Sequence, residues 1–229
     1  MVRVHACLLV EKHIRAKSLK LTSTVKWYDQ NAKKFDSLIS SLAIPEHIDT
    51  FRQQLFPKAL VLDAGCGSGR DTALLEAKQL TLTGLDLSTE LLKIAQEKCP
   101  QVKFVQGNLL DLPFKNESFD GVWANACLVH LKNNAAVKKS LSEFHRVLKK
   151  GGVLHIFVRA NLGGKKVLFH QDSQSRFKRL FHNFTQTEVT SLLFEAGFKE
   201  LFTTQTKEID QHPQGRADVE WIHSISKKI

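Results

Sequence analysis

The spacing of hydrophobic positions changes twice along the chain. From Trp27 onward apolar residues fall at helical intervals, with Phe35, Leu38, Ile39 and Leu42 on one stripe. Pro45 opens a second helix with Ile48, Phe51 and Leu55 on one face, and Pro57 closes it. The period then shortens. ALVLDAG (59–65) is a continuous apolar run ending in glycine, which reads as a buried strand. A helix from about Arg70 to Lys78 leads to a second strand, LTLTGLDLS (80–88). Ser88 is an N-cap for a helix carrying Leu91, Leu92, Ile94 and Ala95 that stops at Pro100. Strands follow at VKFVQG (102–107) and FDGVWANA (119–126). Asn134 caps a helix with Val137, Leu141, Phe144 and Leu148 on one stripe, ended by Gly151-Gly152, and GVLHIFVR (152–159) is a fifth strand. Thr185 and Glu188 form a capping box before Val189, Leu192, Leu193 and Ala196, and two closing strands occupy 198–206 and 219–226. Two regions lack a clear period: the first 25 or so residues, read as a loose arm, and 160–184, which is basic and aromatic. Strands alternating with helices predict an α/β fold, a largely parallel sheet with helices on both faces.

Composition adds limits rather than detail. The chain has 229 residues, 42% hydrophobic and 24% charged, with fifteen Phe, which suits a globular protein and argues against disorder. No apolar run is long enough to cross a membrane, and the short patch from Val4 to Val10 is broken by His5 and lacks a cleavage site, so neither a membrane span nor a signal peptide is expected. Cys7, Cys66, Cys99 and Cys127 lie far apart with no C-x-x-C spacing, which predicts free thiols in a reducing, cytoplasmic setting. The ten histidines include no H-x-x-x-H pair, so no metal site is expected. The net charge of +10 opens the possibility of an anionic partner such as nucleic acid, or serves solubility alone.

Candidate chemistry concentrates after the first strand. Asp63-Ala-Gly65-Cys-Gly67-Ser-Gly69-Arg70 joins a buried strand to a helix, where glycines permit a tight turn and close approach of a ligand. Asp86 ends the second strand, twenty-one residues after Gly65, at the distance of an acid that accepts from ribose hydroxyls. A dinucleotide site is the rival, but Arg70 stands where its third glycine belongs, and the anionic Asp63 suits a ligand carrying positive charge better than a pyrophosphate.

VLDAGCGSGRD resembles the first motif of class I S-adenosylmethionine-dependent methyltransferases. Further motifs follow in the family's order: GLDLS, GNLLDLPF, FDGVWANACLVHL and LKKGGVLHIFV, with WYDQNAKKFD similar to the N-terminal helix of small stand-alone members. The resemblance covers roughly residues 26–229 and is dense over 59–158. It implies a Rossmann-like sheet of seven strands, mostly parallel with the last antiparallel. It divides the chain into an arm and helical lid (1–58) and a cofactor-binding domain (59–229) with a substrate insert at about 160–184. It implies S-adenosyl-L-methionine as cofactor, with Gly65, Gly67 and Gly69 under the methionine moiety, Asp63 before them, Asp86 on the ribose and Leu87 on the adenine face. Asn108 stands where many relatives carry an acid facing the adenine amino group, and an amide oxygen accepts the same bond without charge assistance. The Leu109 amide would meet adenine, and carbonyls at Asn125 would hold the cofactor ammonium.

His130 is the candidate general base near the site, and Tyr28 would contact the cofactor or line the substrate side. The expected reaction is in-line methyl transfer to a small-molecule nucleophile. Two other readings remain open at this point. One is an RNA or protein methyltransferase, drawing on the net charge and on Arg176-Phe-Lys-Arg-Leu-Phe-His182 as phosphate-binding and base-stacking residues. The other is a protein that binds S-adenosylmethionine without catalysis.

Overall fold

A computed structural model describes residues 22–40, 42, 44–171, 173–211 and 216–229. The arm expected over the first 25 residues therefore lies almost wholly outside the described residues, as does Cys7.

Two helices come first, α1 (Ser23–Ile39) and α2 (Pro45–Arg52). The αβ alternation then runs β1 (Leu60–Ala64), α3 (Arg70–Ala77), β2 (Thr81–Asp86), α4 (Thr89–Lys98), β3 (Lys103–Gln106), β4 (Phe119–Asn125), α5 (Asn134–Val147) and β5 (Leu148–Arg159). A two-stranded hairpin, β6 (Val167–His170) and β7 (Arg179–His182), interrupts it. The chain closes with α6 (Gln186–Glu195), β8 (Phe198–Lys207), α7 (Glu208–Gln211) and β9 (Glu220–Lys228). The main sheet has seven strands in the order β3-β2-β1-β4-β5-β9-β8. Every neighbouring pair from β3 to β5 is parallel, and β9 runs antiparallel to both β5 and β8. This is the Rossmann-like sheet anticipated, with only the last strand reversed.

Alternation along the strands splits the core. Leu62, Ala64, Val122, Ala124, Leu154 and Ile156 face α5 and α6, while Val61, Leu82, Trp123 and Val153 face α2 and α3. Several local signals act as anticipated. Ser88 Oγ accepts from Leu91 N at 3.2 Å, and the Thr185–Glu188 capping box closes in both directions. Elsewhere the reading needs correction. The cap of α5 is Asn133, whose Oδ1 accepts from Ala136 N, not Asn134. Gly151-Gly152 do not end that helix: β5 begins directly at Leu148 and runs through them. α1 begins at Ser23, with Thr22 as its cap, and not at Trp27. Its buried residues are Thr24, Val25, Trp27 and Ala32. The stripe Phe35, Leu38, Ile39 and Leu42 instead lines a cavity, and Leu38 is 58% exposed.

Candidate active site

The cavity, of about 890 Å³, opens at the carboxyl ends of the parallel strands, where open α/β sheets bind ligands. Its floor is the turn between β1 and α3. Gly65, Gly67 and Gly69 all have positive φ (77°, 54° and 79°). Gly65 N and Cys66 N donate to Leu85 O at 2.7 and 3.0 Å, which draws the turn against the end of β2. A side chain at Gly65 has no room, because a Cβ there would stand 2.4 Å from Cys127 Cβ. Gly65 and Gly67 form part of the cavity wall. Gly69 does not; it is the N-cap residue of α3, backed by Ala95 at 3.0 Å from a hypothetical Cβ.

Asp86 sits at the tip of β2, accepting from Gly67 N at 3.0 Å on one oxygen and from Ser88 N at 2.8 Å on the other. Burial raises its pKa above the usual carboxylate value, against the pull of these amides. Below the turn, Asp63 is 2% exposed and accepts from Thr72 Oγ1 at 2.5 Å. Burial first, and then the neighbouring Asp71 charge, push it up to about 8. Asp71 is held ionised despite its own burial, because Arg70 Nε donates to it at 2.7 Å and Trp123 Nε1 and Asn125 Nδ2 donate to its other oxygen. Arg70 also reaches Leu42 O at 3.1 Å, fastening the segment after α1 to the floor.

Leu87, Asn108 and Leu109 line the adjoining wall. The Asn108 Oδ1 accepts from Leu110 N at 3.0 Å, so part of its acceptor capacity is spent within its own turn. Asp111 lies outside the wall, bridged to Asn108 as a turn residue. Asn125 is in the wall, and its buried Oδ1 has no partner.

The opposite wall comes from α1 and β7, which are laced together: Lys178 N donates to Ser23 Oγ at 2.8 Å and Leu180 N to Thr24 Oγ1 at 3.0 Å. Asp29 accepts from Ser88 Oγ at 2.6 Å and so ties α1 to the start of α4. Tyr28 and His130 meet here, with Tyr28 Oη 2.9 Å from His130 Nε2 and His130 Nδ1 2.7 Å from Leu180 O. A carbonyl only accepts, so Nδ1 carries the proton and Nε2 accepts from the Tyr28 hydroxyl. Burial pushes Tyr28 up to about 12, opposed by the adjacent Arg179, and pushes His130 down to about 4. Both are therefore neutral near pH 7. Arg179 lies 3.8 Å above the Trp27 ring and 5.4 Å from that of Phe181.

The buried neutral His130 has a stability consequence. Its folded pKa lies below the ordinary 6.5, so the unfolded chain binds its proton first as pH falls. Stability contributed by His130 is full above pH 6.5 and declines as pH drops toward 4. Going from pH 7 to pH 5, His130→Gln is expected to lose about 2 kcal/mol less unfolding free energy than the parent chain, read from urea titrations at the two pH values.

The methyltransferase-domain family matches residues 62–156, from β1 into β5. An uncharacterized methyltransferase of Synechocystis sp. is 36% identical over 147 residues, covering 62% of this chain and 68% of that protein. A 2-phytyl-1,4-naphtoquinone methyltransferase of Nostoc sp. is 28% identical over 209 residues, covering 84% and 85% of the two chains. This chain is an S-adenosylmethionine-dependent methyltransferase. Among solved structures, the 1,6-didemethyltoxoflavin-N1-methyltransferase of Burkholderia thailandensis, with 1,6-didemethyltoxoflavin and S-adenosylhomocysteine bound, superposes with a TM-score of 0.71. It is 24% identical, and the match covers 90% of this chain and 87% of that one. The likeness shows that the two share a fold.

Within this methyltransferase the cavity gathers Tyr28, Asp63, Gly65, Gly67, Asp86, Leu87, Asn108, Leu109, Asn125 and His130, leaving only Gly69 of the anticipated residues outside. Sequence reasoning missed Asp71, the hub that joins Arg70, Trp123 and Asn125. Its position directly after the glycine turn, at a helix start, was the available signal. It also missed Arg179, read as part of a nucleic-acid-binding stretch. The local-spacing rule for metals overlooked His47, His155 and His223, which lie 68 residues or more apart and converge in the fold. No helix among the described residues is long and apolar enough to cross a membrane.

Proposed function

We propose that the methyltransferase acts on a small, largely apolar ring compound. The observation that carries this reading is the walled cavity itself: its far side is built from Phe35, Leu38, Ile39, Leu131 and Phe181, with Tyr28, His130 and Arg179 as polar groups among them, and Lys34, Lys132, Lys178 and the Glu208–Arg216 ion pair also in its lining. Pockets of roughly 300–1,000 Å³ with few convergent polar groups suit small molecules. The names of the relatives, a naphthoquinone methyltransferase and a toxoflavin N-methyltransferase, support the same class. The basic-aromatic stretch does not favour nucleic acid. Of its aromatics, His182 is buried and Phe181 faces the cavity, which leaves the half-buried Phe177, with Arg176 4.9 Å from its ring, as the single ring near the surface rather than a stacking platform.

The floor suits S-adenosylmethionine. Asp86, already fixed by Gly67 N and Ser88 N, has acceptor capacity left for two ribose hydroxyls. Leu87 and Leu109 offer apolar faces to an adenine ring, with Asn108 as its polar neighbour. The orphaned Asn125 Oδ1 and the ionised Asp71 suit an ammonium group, whereas Asp63, pushed up to about 8 by burial and Asp71, is largely protonated at pH 7 and contributes an oxygen acceptor rather than the anionic charge expected from the sequence. The Gly65–Gly67 turn leaves room for the methionine backbone to lie against main chain. When bound, the cofactor supplies a sulfonium methyl that passes in line to the acceptor.

Tyr28 and His130 would orient the acceptor and take its proton. The acceptor gives a proton to Tyr28 Oη as Tyr28 passes its own to His130 Nε2, along the existing 2.9 Å bond. With His130 near 4, charging it at pH 7 costs about 4 kcal/mol. The transfer is therefore favourable late, once the incoming methyl has made the acceptor acidic. Orientation in a closed site, able to supply roughly 7–11 kcal/mol, is the larger contribution.

Two measurements test this. Radiolabelled methyl transfer into metabolite, RNA and protein fractions should label the small-molecule fraction; label confined to RNA or protein would overturn the acceptor class. Tyr28→Phe should lower kcat roughly 100-fold with the S-adenosylmethionine affinity nearly unchanged, and an unaltered kcat would remove the proton relay.

A further inference from the structure

Away from the cavity floor, three histidines meet between α2 and the sheet. His155 on β5 and His223 on β9 share one face. The antiparallel register sets Phe157 opposite His223 and His155 opposite Ile225, so the two histidines are diagonal neighbours. α2 covers this face with Ile48 and Phe51 and brings His47 onto them. Ring centroids stand 4.8 Å apart for His155 and His223, 3.8 Å for His47 and His223, and 6.2 Å for His47 and His155. One ring nitrogen from each lies within 4.8 Å of the other two.

These imidazoles are 9%, 0% and 1% exposed in chain order. Four of their nitrogens, His47 Nδ1, both of His155 and His223 Nε2, are buried with no hydrogen-bond partner. Orphaned buried polar atoms are rare and destabilising by about 1–3 kcal/mol each, so four in one cluster require a partner. Burial also holds all three rings below their ordinary pKa, His47 to about 4 and His223 to about 3. Each is a neutral imidazole with a lone pair available to a cation.

We propose that His47, His155 and His223 form a three-imidazole site for a borderline divalent transition-metal ion, Zn²⁺ by class, which fastens α2 to β5 and β9. Three nitrogen ligands without thiolate or carboxylate match Zn²⁺ and its neighbours and exclude Mg²⁺ and Ca²⁺, which take oxygen. Metal–nitrogen bonds of about 2.0–2.1 Å place ligand nitrogens closer together than the present spacing. Closure requires His47, on the short outer helix, to turn out of its stack on His223. His155 stays flat on Trp123, 3.5 Å between centroids. The negative charge of Asp71, which acts on His47, offsets part of the ion's charge. A fourth position remains for water. The three ligands are independent of the acceptor class and are none of the residues assigned to the cofactor; Asp71 alone acts on both sites.

The test uses tag-free full chain, stripped with chelator and titrated with Zn²⁺ by calorimetry and with Co²⁺ by visible absorption. One equivalent should bind, with the intense band of a four-coordinate Co²⁺ centre. His47→Gln should weaken binding on the order of 100-fold, the share of one ligand in a structural zinc site. His155→Phe and His223→Phe should abolish the band, with far-UV circular dichroism reporting whether each variant folds. Failure to take up one equivalent, or uptake unchanged in His47→Gln, would overturn the proposal. His47 lies at the margin of the cluster, so its variant decides the matter even where the two strand variants do not fold.

Discussion

Gly65→Ala should destabilise the fold strongly for a single added methyl, because it combines a backbone and a packing penalty. The residue sits at φ 77°, where an alanine is strained by about 1–2 kcal/mol. Its new Cβ would also stand 2.4 Å from Cys127 Cβ. Forcing an extra group into a packed site adds typically 1–3 kcal/mol. The sum, about 2–5 kcal/mol, corresponds to a fall in Tm of roughly 5–15 °C for a domain of this size. Gly163→Ala is the matched control. Its φ of 88° carries similar backbone strain, but nothing lies within 4 Å of the added atom. Differential scanning calorimetry of the two variants separates packing from backbone strain. Equal losses of Tm would mean that Cys127 yields, and that the turn is not held as tightly as its hydrogen bonds imply.

Asp86→Ala should have the largest effect on ligand binding. The carboxylate fixes the turn through Gly67 N and Ser88 N, and it is the acid available to ribose hydroxyls. Hydrogen bonds to a charged acceptor contribute about 1.5–3 kcal/mol each. Losing two weakens S-adenosylmethionine binding by at least roughly 100-fold in a calorimetric titration. Asp86→Asn keeps the shape and one acceptor oxygen, and its loss should be intermediate. An alanine variant that binds as tightly as the parent chain would remove Asp86 from the cofactor site. NAD, run beside it, should not bind either protein.

Much of this architecture is legible in the sequence because local rules and the fold agree. The β1 run, the glycine turn and the Ser88 and Thr185 caps each occupy a short window, and each acts where its residues stand. The misreadings have physical reasons. The stripe Phe35, Leu38, Ile39 and Leu42 has helical spacing whether it faces a core or a cavity, and periodicity does not distinguish these. Gly151-Gly152 look like a helix stop, but Leu148 leaves α5 directly in extended conformation, and the glycines fall inside β5. The β6–β7 hairpin was hidden because its strands are four residues long and held by α1, through Ser23 and Thr24, rather than by their own alternation. In the site, residues contributed by one motif were readable. The Tyr28–His130 bond spans 102 positions, and the Asp71 hub joins α3 to β4; both exist only once the sheet has formed.

The reversed strand has a consequence for how the protein is made. β9 is the last strand in the chain, yet it lies inside the sheet, bonded on one side to β5 and on the other to β8. During synthesis β5 and β8 emerge first, and until residues 220–228 follow, each presents an unpaired edge. Open edges of this kind are templates for pairing with other chains. The vulnerable interval is thus set by the ribosome, which must deliver the final strand before two neighbouring nascent chains supply each other with a substitute.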